Sequence, residues 1–404
     1  MPFSNTLKNF EFRAKTLFYG MEFTNGMRRQ LVSALALIYF ISLGHNILTI
    51  IAMFAISRII TIFFEFPTGI FADYYSRKKS IIISFSLMTI AFLGIFLFKD
   101  FWLIAVFYIL QDIAWTFQSG TTTAWIIDAL AYAKNRFKIS SLFARFMFFE
   151  KTGAILGGLI GLIIIAINFQ FIWLIIALAN LATLLIVIKY MVEKNFKPKK
   201  YETNFITQTF IQAKKTIKYF FHKKNKQLKG LALADFVGVI AMDSFFIEVP
   251  LILLQILHIQ ANNISGIFAV ISCIVLVAPF IGEKAVHKFG FKKSFFIGYI
   301  ALSIAIIIFA ISRSIVLSIC ALIIVYILET VFSTIHSSAV QHAIPSSSRA
   351  TLGSAMNINW AIASAIAITL AGLSISTIGL INATIVSGII GLIAATIYFI
   401  VLKE

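Results

Sequence analysis

Charged side chains set deep inside apolar runs are the groups in this chain that can do chemistry. Arg28 or Arg29 stands in the first such run, Arg58 in the second, Asp112 in the fourth, Asp243 in the seventh and Glu329 in the tenth. An ionised group facing hydrocarbon costs several kcal/mol, so each must face a bundle interior or a wet cavity. The bland alternative for any one of them is an ion pair that only locks helix packing. As a set they favour a cavity. Protonating a carboxylate there removes a charge whose burial opposes one conformation, so Asp112, Asp243 and Glu329 are candidate proton carriers. Asp243, within AMDSFF and two turns after Asp235, is the most central of the three. Arg28, Arg29 and Arg58 are candidates to contact substrate or an acid. Glu150 and Lys151 suit a gate, and His336, able to titrate near neutral pH, reads more simply as a polar packing residue.

Other chemistries leave no trace in the sequence. It has no HExxH or GxSxG motif, no phosphate-binding loop, no paired histidines at metal-ligand spacing, and Ser119 within QSG has no recognisable base. The expectation is a protein that is not an enzyme, with no catalytic residue, no metal, no cofactor and no ATP-driven pumping of its own.

A membrane must position the charged groups. Of 404 residues 60% are hydrophobic and 12% charged, and the apolar runs are each long enough to cross about 30 Å of hydrocarbon. A soluble chain this size would have too few charges to cover its surface. The punctuation of the runs predicts an all-α polytopic protein with twelve spans, at residues 17–43, 47–71, 80–98, 101–124, 142–167, 170–189, 229–257, 264–282, 294–312, 315–341, 352–375 and 379–402. Lys8, Glu11, Arg13 and Lys15 precede a run without a small-residue cleavage site, so the first span reads as an anchor, not a cleaved signal. Cys273 and Cys320 fall within spans and read as small buried hydrophobes.

The +18 net charge is concentrated at alternate junctions. Arg77, Lys78 and Lys79; Lys134, Arg136 and Lys138; the stretch Lys194 to Lys229; Lys284, Lys288, Lys292 and Lys293; and Arg349 mark one side, against Lys99 and Arg313 on the other. The positive-inside rule places both termini in the cytoplasm. These lysines face an anionic leaflet, so membrane lipid is the expected partner and nucleic acid is not. The lysine-rich stretch divides the chain into a six-span bundle at 1–190, a linker at 191–228 and a second six-span bundle at 229–404. Within the linker Ile206, Phe210, Ala213, Ile217 and Phe221 recur at helical spacing, which suits an amphipathic tether.

Between the second and third runs stands GIFADYYSRKK, Gly69 to Lys79, preceded by Glu65, Pro67 and Thr68. It resembles motif A of the major facilitator superfamily (MFS), with Gly69, Asp73, Arg77 and Lys78 matching. A degenerate copy follows span 8, where Gly282, Gly290, Lys292 and Lys293 recur and Val286 replaces the acid. The resemblance implies the MFS fold, two pseudo-symmetric six-helix bundles with substrate near the midplane, in which spans 1, 4, 7 and 10 line the cavity. The charge pattern, read without that assignment, agrees with it.

The ending of span 4, SGTTTAWIIDAL, resembles that of drug-efflux-like members. In them the motif acid, the motif arginine and the acid on span 4 form a cytoplasmic charge relay, here Asp73, Arg77 and Asp128. Gly153, Gly157, Gly158 and Gly161 on span 5 resemble that branch's antiporter motif, without its usual proline, and permit close helix packing. Thr116 departs from the branch, standing where many proton antiporters have arginine. IPSSSRATLGS, Ile344 to Ser354, again resembles efflux-like members.

The resemblance implies a monomeric secondary transporter in the plasma (inner) membrane, binding a small-molecule substrate, with protons as coupling ion. Export of amphipathic compounds leads, ahead of uptake of a zwitterionic or anionic metabolite. A non-transporting membrane sensor is the alternative of another class.

Overall fold

Runs of Ile, Leu, Phe and Ala broken only by Gly and by short polar junctions leave the backbone one way to satisfy its hydrogen bonds in hydrocarbon, and the described residues are helices joined by short turns, with no strand among them. The computed structural model describes residues 2–133, 139–194, 226–343 and 349–402, with a few positions between 196 and 214. In order, the helices are α1 (Pro2–Ser42), α2 (Ile47–Tyr74), α3 (Arg77–Leu97), α4 (Phe101–Thr116), α5 (Thr121–Tyr132), α6 (Ile139–Ile167), α7 (Phe171–Tyr190), α8 (Lys226–Leu251), α9 (Ala261–Val275), α10 (Ala278–Ile311), α11 (Ile315–Ala343), α12 (Arg349–Ile378) and α13 (Leu380–Val401).

Ten segments among the described residues are long and apolar enough to cross a membrane. The first and eighth expected spans are helical but fall outside that set. α1 begins at Pro2, because its early Lys, Glu and Arg residues are good helix formers and Lys15 pairs with Glu11 one turn back at 2.5 Å. At 41 residues it is about 60 Å long, roughly twice the hydrocarbon thickness. α9 has only 15 residues before the turn that leads into α10.

Other expected boundaries shift for local reasons. The fourth expected span, 101–124, is two helices, because Gly120 takes φ +69° and turns the chain between α4 and α5; Asp128 thus sits on α5. Pro250, which cannot donate a backbone hydrogen bond, lies just before a π-helical turn at Ile252–Ile256 that ends α8. Gly290, at φ +75°, breaks the long α10. Cys273 and Cys320 are exposed, which corrects their reading as buried; in a membrane chain lipid serves as well as protein for a small apolar side chain. Most of the lysine-rich linker, the 134–138 junction and the start of IPSSSRATLGS lie outside the described residues, as does the side chain of Val286.

The chain forms two compact units. One comprises residues 1–39, 60–211 and 265–269; the other comprises 40–59, 212–264 and 270–404. α2 contributes its first half to the second unit and its second half to the first. In the first unit α3 packs along α4 and α7, and a core of Phe18, Tyr19, Phe85, Trp125 and Ile126 joins α1, α3 and α5. In the second, α10 packs along α11 and α13, and α8 along α12 and α13.

Candidate functional site

In the first unit glycines bring α1 and α6 into backbone contact. A Cβ on Gly26 would overlap the Glu150 carbonyl, one on Gly153 the Phe23 carbonyl, and one on Gly157 would lie 2.9 Å from the Met27 oxygen. The span 5 glycines serve two neighbours: Gly153 and Gly157 face α1, Gly158 faces Ala269 of α9, and Gly161 lies between Ser265 of α9 and Leu31 of α1; the Ser265 hydroxyl donates to the Gly158 carbonyl at 2.9 Å.

That α1–α6 contact sets a cluster of charges. Arg29 Nη1 reaches Glu150 Oε1 at 3.1 Å. Buried Arg28 donates to Gln111 Oε1 at 3.3 Å, and Gln111 Nε2 donates to Asp112 Oδ1 at 2.5 Å. Trp115, one turn after Gln111, lies beneath both guanidinium groups, 5.0 Å from Arg28 Cζ and 5.5 Å from Arg29 Cζ. Glu22, also buried, accepts from Asn25 Nδ2 at 3.4 Å. Two sequence candidates, Arg28 and Arg29, therefore meet over one indole ring; a third, Asp112, is linked to Arg28 through Gln111, and Arg29 is paired with Glu150, which the sequence suggests only as part of a gate.

At one end of the same unit the motif residues form a second network. Ser76 caps α3, its Oγ accepting from Lys79 N at 3.0 Å. Arg77 Nη1 donates to Asp128 and, at 2.7 Å, to the Ala124 carbonyl, so it ties α3 to α5. Lys78 Nζ donates to the Ile188 carbonyl at 2.9 Å near the C-terminus of α7, where a cation is favoured. Asp73 is half-buried on the last turn of α2, and a Cβ added at exposed Gly69 would meet nothing within 4 Å. Glu193, absent from the sequence candidates, accepts from Ser76 Oγ at 2.5 Å and from Arg77 N at 2.7 Å. It follows α7 in irregular chain, where no spacing rule connects it to the motif. Further along α2, Glu65 accepts from Ser119 Oγ at 3.1 Å.

The second unit holds a partly open cavity of about 280 Å³ lined by Asp235 and Asp243 of α8, Glu329 and His336 of α11, and Trp360 of α12, among others. The placement of the two aspartates follows from α8–α12 hydrogen bonds. Ser244 Oγ donates to the Ala367 carbonyl at 2.9 Å and Asn359 Nδ2 to the Ala232 carbonyl at 3.0 Å, while Ser364 bonds the Asp243 carboxylate. His336 Nε2 stands 3.3 Å from Asp235 Oδ1. One wall is aromatic: Phe295 stacks on Tyr398 at 4.4 Å between centroids and Tyr299 on Phe332 at 4.5 Å. Gly238 makes room for this wall, because a Cβ there would meet the Tyr299 hydroxyl at 2.5 Å. Arg58, on the half of α2 that belongs to this unit, places Cζ 5.5 Å from the Trp360 ring and lies in electrostatic reach of Asp243.

The structure thus brings Asp243 and Glu329 to one cavity and adds Asp235 and His336, whereas Arg58 lies beside Trp360 but outside the lining. The spacing of Glu329 and His336, seven residues apart and so on one helix face, is the signal in the sequence that points to the histidine. Buried Glu248, which no sequence signal singles out, lies outside that lining and accepts from Ser387 Oγ at 3.0 Å. Among the described residues no cluster of His, Cys, Asp and Glu suits a metal ion.

Known proteins resemble the chain at several levels. The uncharacterised MFS-type transporter YxaM of Bacillus subtilis (strain 168) is 34% identical over 117 residues, a match that spans only 28% of either chain. The crystal structure of a mutant of the nucleoside transporter NupG superposes with TM-score 0.74 at 13% identity, covering 98% of this chain and 100% of that one. A POT family transporter in complex with a thioalcohol-conjugated peptide superposes with TM-score 0.74 at 16% identity, covering 99% and 96%. At such identities the two structures establish the fold alone. The profile of the family described as Major Facilitator Superfamily matches residues 18–368, most of the chain, and the protein is a member of that superfamily of membrane transporters.

Proposed function

We propose that the chain is a proton-coupled secondary transporter that exports small amphipathic compounds by alternating access, as drug-efflux-like members do. The observation that carries this reading is the cavity of the second unit, where Asp235, Asp243 and Glu329 converge between aromatic side chains inside spanning helices. Such groups are costly in a membrane and are retained where ions or substrates pass. Asp243 is the proton carrier in this reading, with Asp112 and Glu329 as further acids on the path. The two six-helix bundles, residues 1–190 and 229–404, rock about the midplane site. Asp73, Arg77 and Asp128, with Gly69 and Lys78, act as the cytoplasmic gate. The protein works as a monomer in the plasma membrane with both termini in the cytoplasm.

The cluster of Arg28, Arg29 and Trp115 favours a second reading, uptake of a zwitterionic or anionic metabolite, since two guanidinium groups on one ring suit a carboxylate. A substrate screen in reconstituted vesicles with an imposed pH gradient separates the two. Export predicts uptake of amphipathic compounds into inside-out vesicles with an acidic lumen; accumulation of an anionic metabolite in the opposite orientation supports the second reading. Binding with no flux in either orientation leaves a sensor.

A further inference from the structure

The end of the first unit that carries the motif network also holds a pocket that the transport reading does not use. It is partly open, about 420 Å³ in volume, and lined chiefly by Asn9, Phe10 and Arg13 of α1, Trp125 of α5, and Lys189 and Tyr190 of α7. The long first helix makes it possible, since Asn9, Phe10 and Arg13 stand on turns of α1 that precede the first expected span.

No carboxylate lines this pocket, and the acids nearest to its residues in the chain are engaged elsewhere. Glu11 is bound to Lys15, Asp128 to Arg77, and Glu193 to Ser76 and the Arg77 backbone. Arg13 and Lys189 are exposed, and neither has an ion pair among the described residues. A helix C-terminus accounts for one cation at the end of α7, but Lys78 already donates to the Ile188 carbonyl there. Arg13, inside α1, has no helix end to neutralise. Lys194 adds charge just beyond the lining, its Nζ 6.0 Å from the Tyr132 ring that Phe10 meets edge to face. A guanidinium fork, an ammonium, an amide and a phenol around one space suit an oxyanion with several acceptor oxygens. Two unpaired cations match the charge of a phosphate better than that of a lone carboxylate. The rings of Phe10, Trp125 and Tyr190 offer its organic part an apolar surface, and the volume falls within the range of small-ligand sites.

We infer that this pocket binds an anionic phosphate ester, presented by a lipid headgroup at the membrane surface or by a soluble molecule. Its occupant meets the motif network through one wall. Trp125 Nε1 donates to the Val192 carbonyl at 3.1 Å, and the residues beside these two in the chain, Ala124 and Glu193, both hold Arg77. The inference concerns binding at a separate place, and it stands whether or not the chain exports amphipathic compounds.

The test is binding to the purified full-length protein in a neutral detergent, read as the shift in unfolding temperature during titration. The probes are dioctanoyl phosphatidic acid, dioctanoyl phosphatidylcholine, whose choline cancels the phosphate charge, and phenyl phosphate. Wild type should bind the phosphatidic acid at least about tenfold more tightly than the phosphatidylcholine. Arg13→Gln and Lys189→Gln should each weaken that binding about tenfold or more. Both positions are exposed, so the unliganded melting temperature should hold. Arg13→Lys should lose less than Arg13→Gln, and Lys292→Gln, which removes a charge from α10 in the second unit, should change nothing. Phenyl phosphate bound as tightly as the lipid, with the same dependence on Arg13 and Lys189, would uphold the pocket and make the ligand a soluble ester. Binding of the phosphatidic acid alone would uphold it and make the ligand a lipid headgroup. Equal binding of the two lipids, binding unchanged in both glutamine variants, or an equal loss in Lys292→Gln would overturn the inference by reducing the effect to general charge. So would the absence of binding by every probe.

Discussion

Replacing Arg77 by alanine tests the motif network most sharply, because the structure gives Arg77 countable tasks. Its guanidinium joins α3 to α5 through Asp128 and the Ala124 carbonyl, and Cζ lies 5.5 Å from the Phe196 ring, while the backbone N–H to Glu193 survives any substitution except proline. The two side chains of the ion pair are 16% and 30% exposed, so solvent screens the pair only in part. Hydrogen bonds to charged groups contribute about 1.5–3 kcal/mol, and one such bond plus the carbonyl contact makes Arg77→Ala worth about 2 kcal/mol. In the first unit that loss is local. If the network also biases the gate, about 2 kcal/mol shifts the balance between its two states roughly 30-fold. A double-mutant cycle with Asp128→Ala, read by thermal unfolding in detergent, should return a coupling of about 1–2 kcal/mol, with flux in vesicles reduced by an order of magnitude in either single variant. Coupling below about 0.3 kcal/mol with wild-type flux would refute both the energetic estimate and the gate.

Other variants probe separate parts of the molecule. Asp73→Asn should cripple flux while leaving membrane insertion intact, as quantified by surface expression beside transport rate; wild-type flux would take Asp73 out of the gate. Asp243→Asn should abolish accumulation driven by a pH gradient yet retain substrate exchange, since the amide mimics only the protonated acid; normal accumulation would reject Asp243 as carrier. Gly153→Leu should destabilise by about 3 kcal/mol or more, because the new side chain meets the Phe23 backbone carbonyl, which cannot retreat without separating α1 from α6. A melting temperature within a degree of wild type would show that this contact is not tight.

Much of the architecture is legible in the sequence, for a physical reason. Hydrocarbon forces the backbone into helices and makes each apolar run declare itself, so the run lengths and the intramembrane charges at Arg58, Asp112, Asp243 and Glu329 stand out. Which charges meet is hidden. Asp235 and His336 are far apart in the chain, as are Arg29 and Glu150, and their pairing is decided by helix packing that a single sequence does not encode at fixed spacing. Helix continuity is obscured where one residue rules: Gly120 divides a run that hydropathy treats as continuous, and the polar start of α1 remains helical because charge does not oppose helix formation, only burial. The four glycines of α6 are visible as a small-residue stripe. The turn from α1 to α9 follows from helical phase, since Gly157 and Gly158 point about 100° apart, and Gly161 meets both helices.

Coupling between substrate and proton is the central claim, and substrate-driven proton movement measures it most directly. Vesicles carrying the protein inside-out and a pH-sensitive dye in the lumen, with no initial pH difference, would receive a sudden inward gradient of a compound found in the screen. Substrate entry should drive protons out, so that the lumen turns alkaline, and Asp243→Asn should show substrate exchange with no change in dye signal. Substrate entry with a constant lumenal pH in the wild-type protein, after collapse of the membrane potential by an ionophore, would contradict the claim.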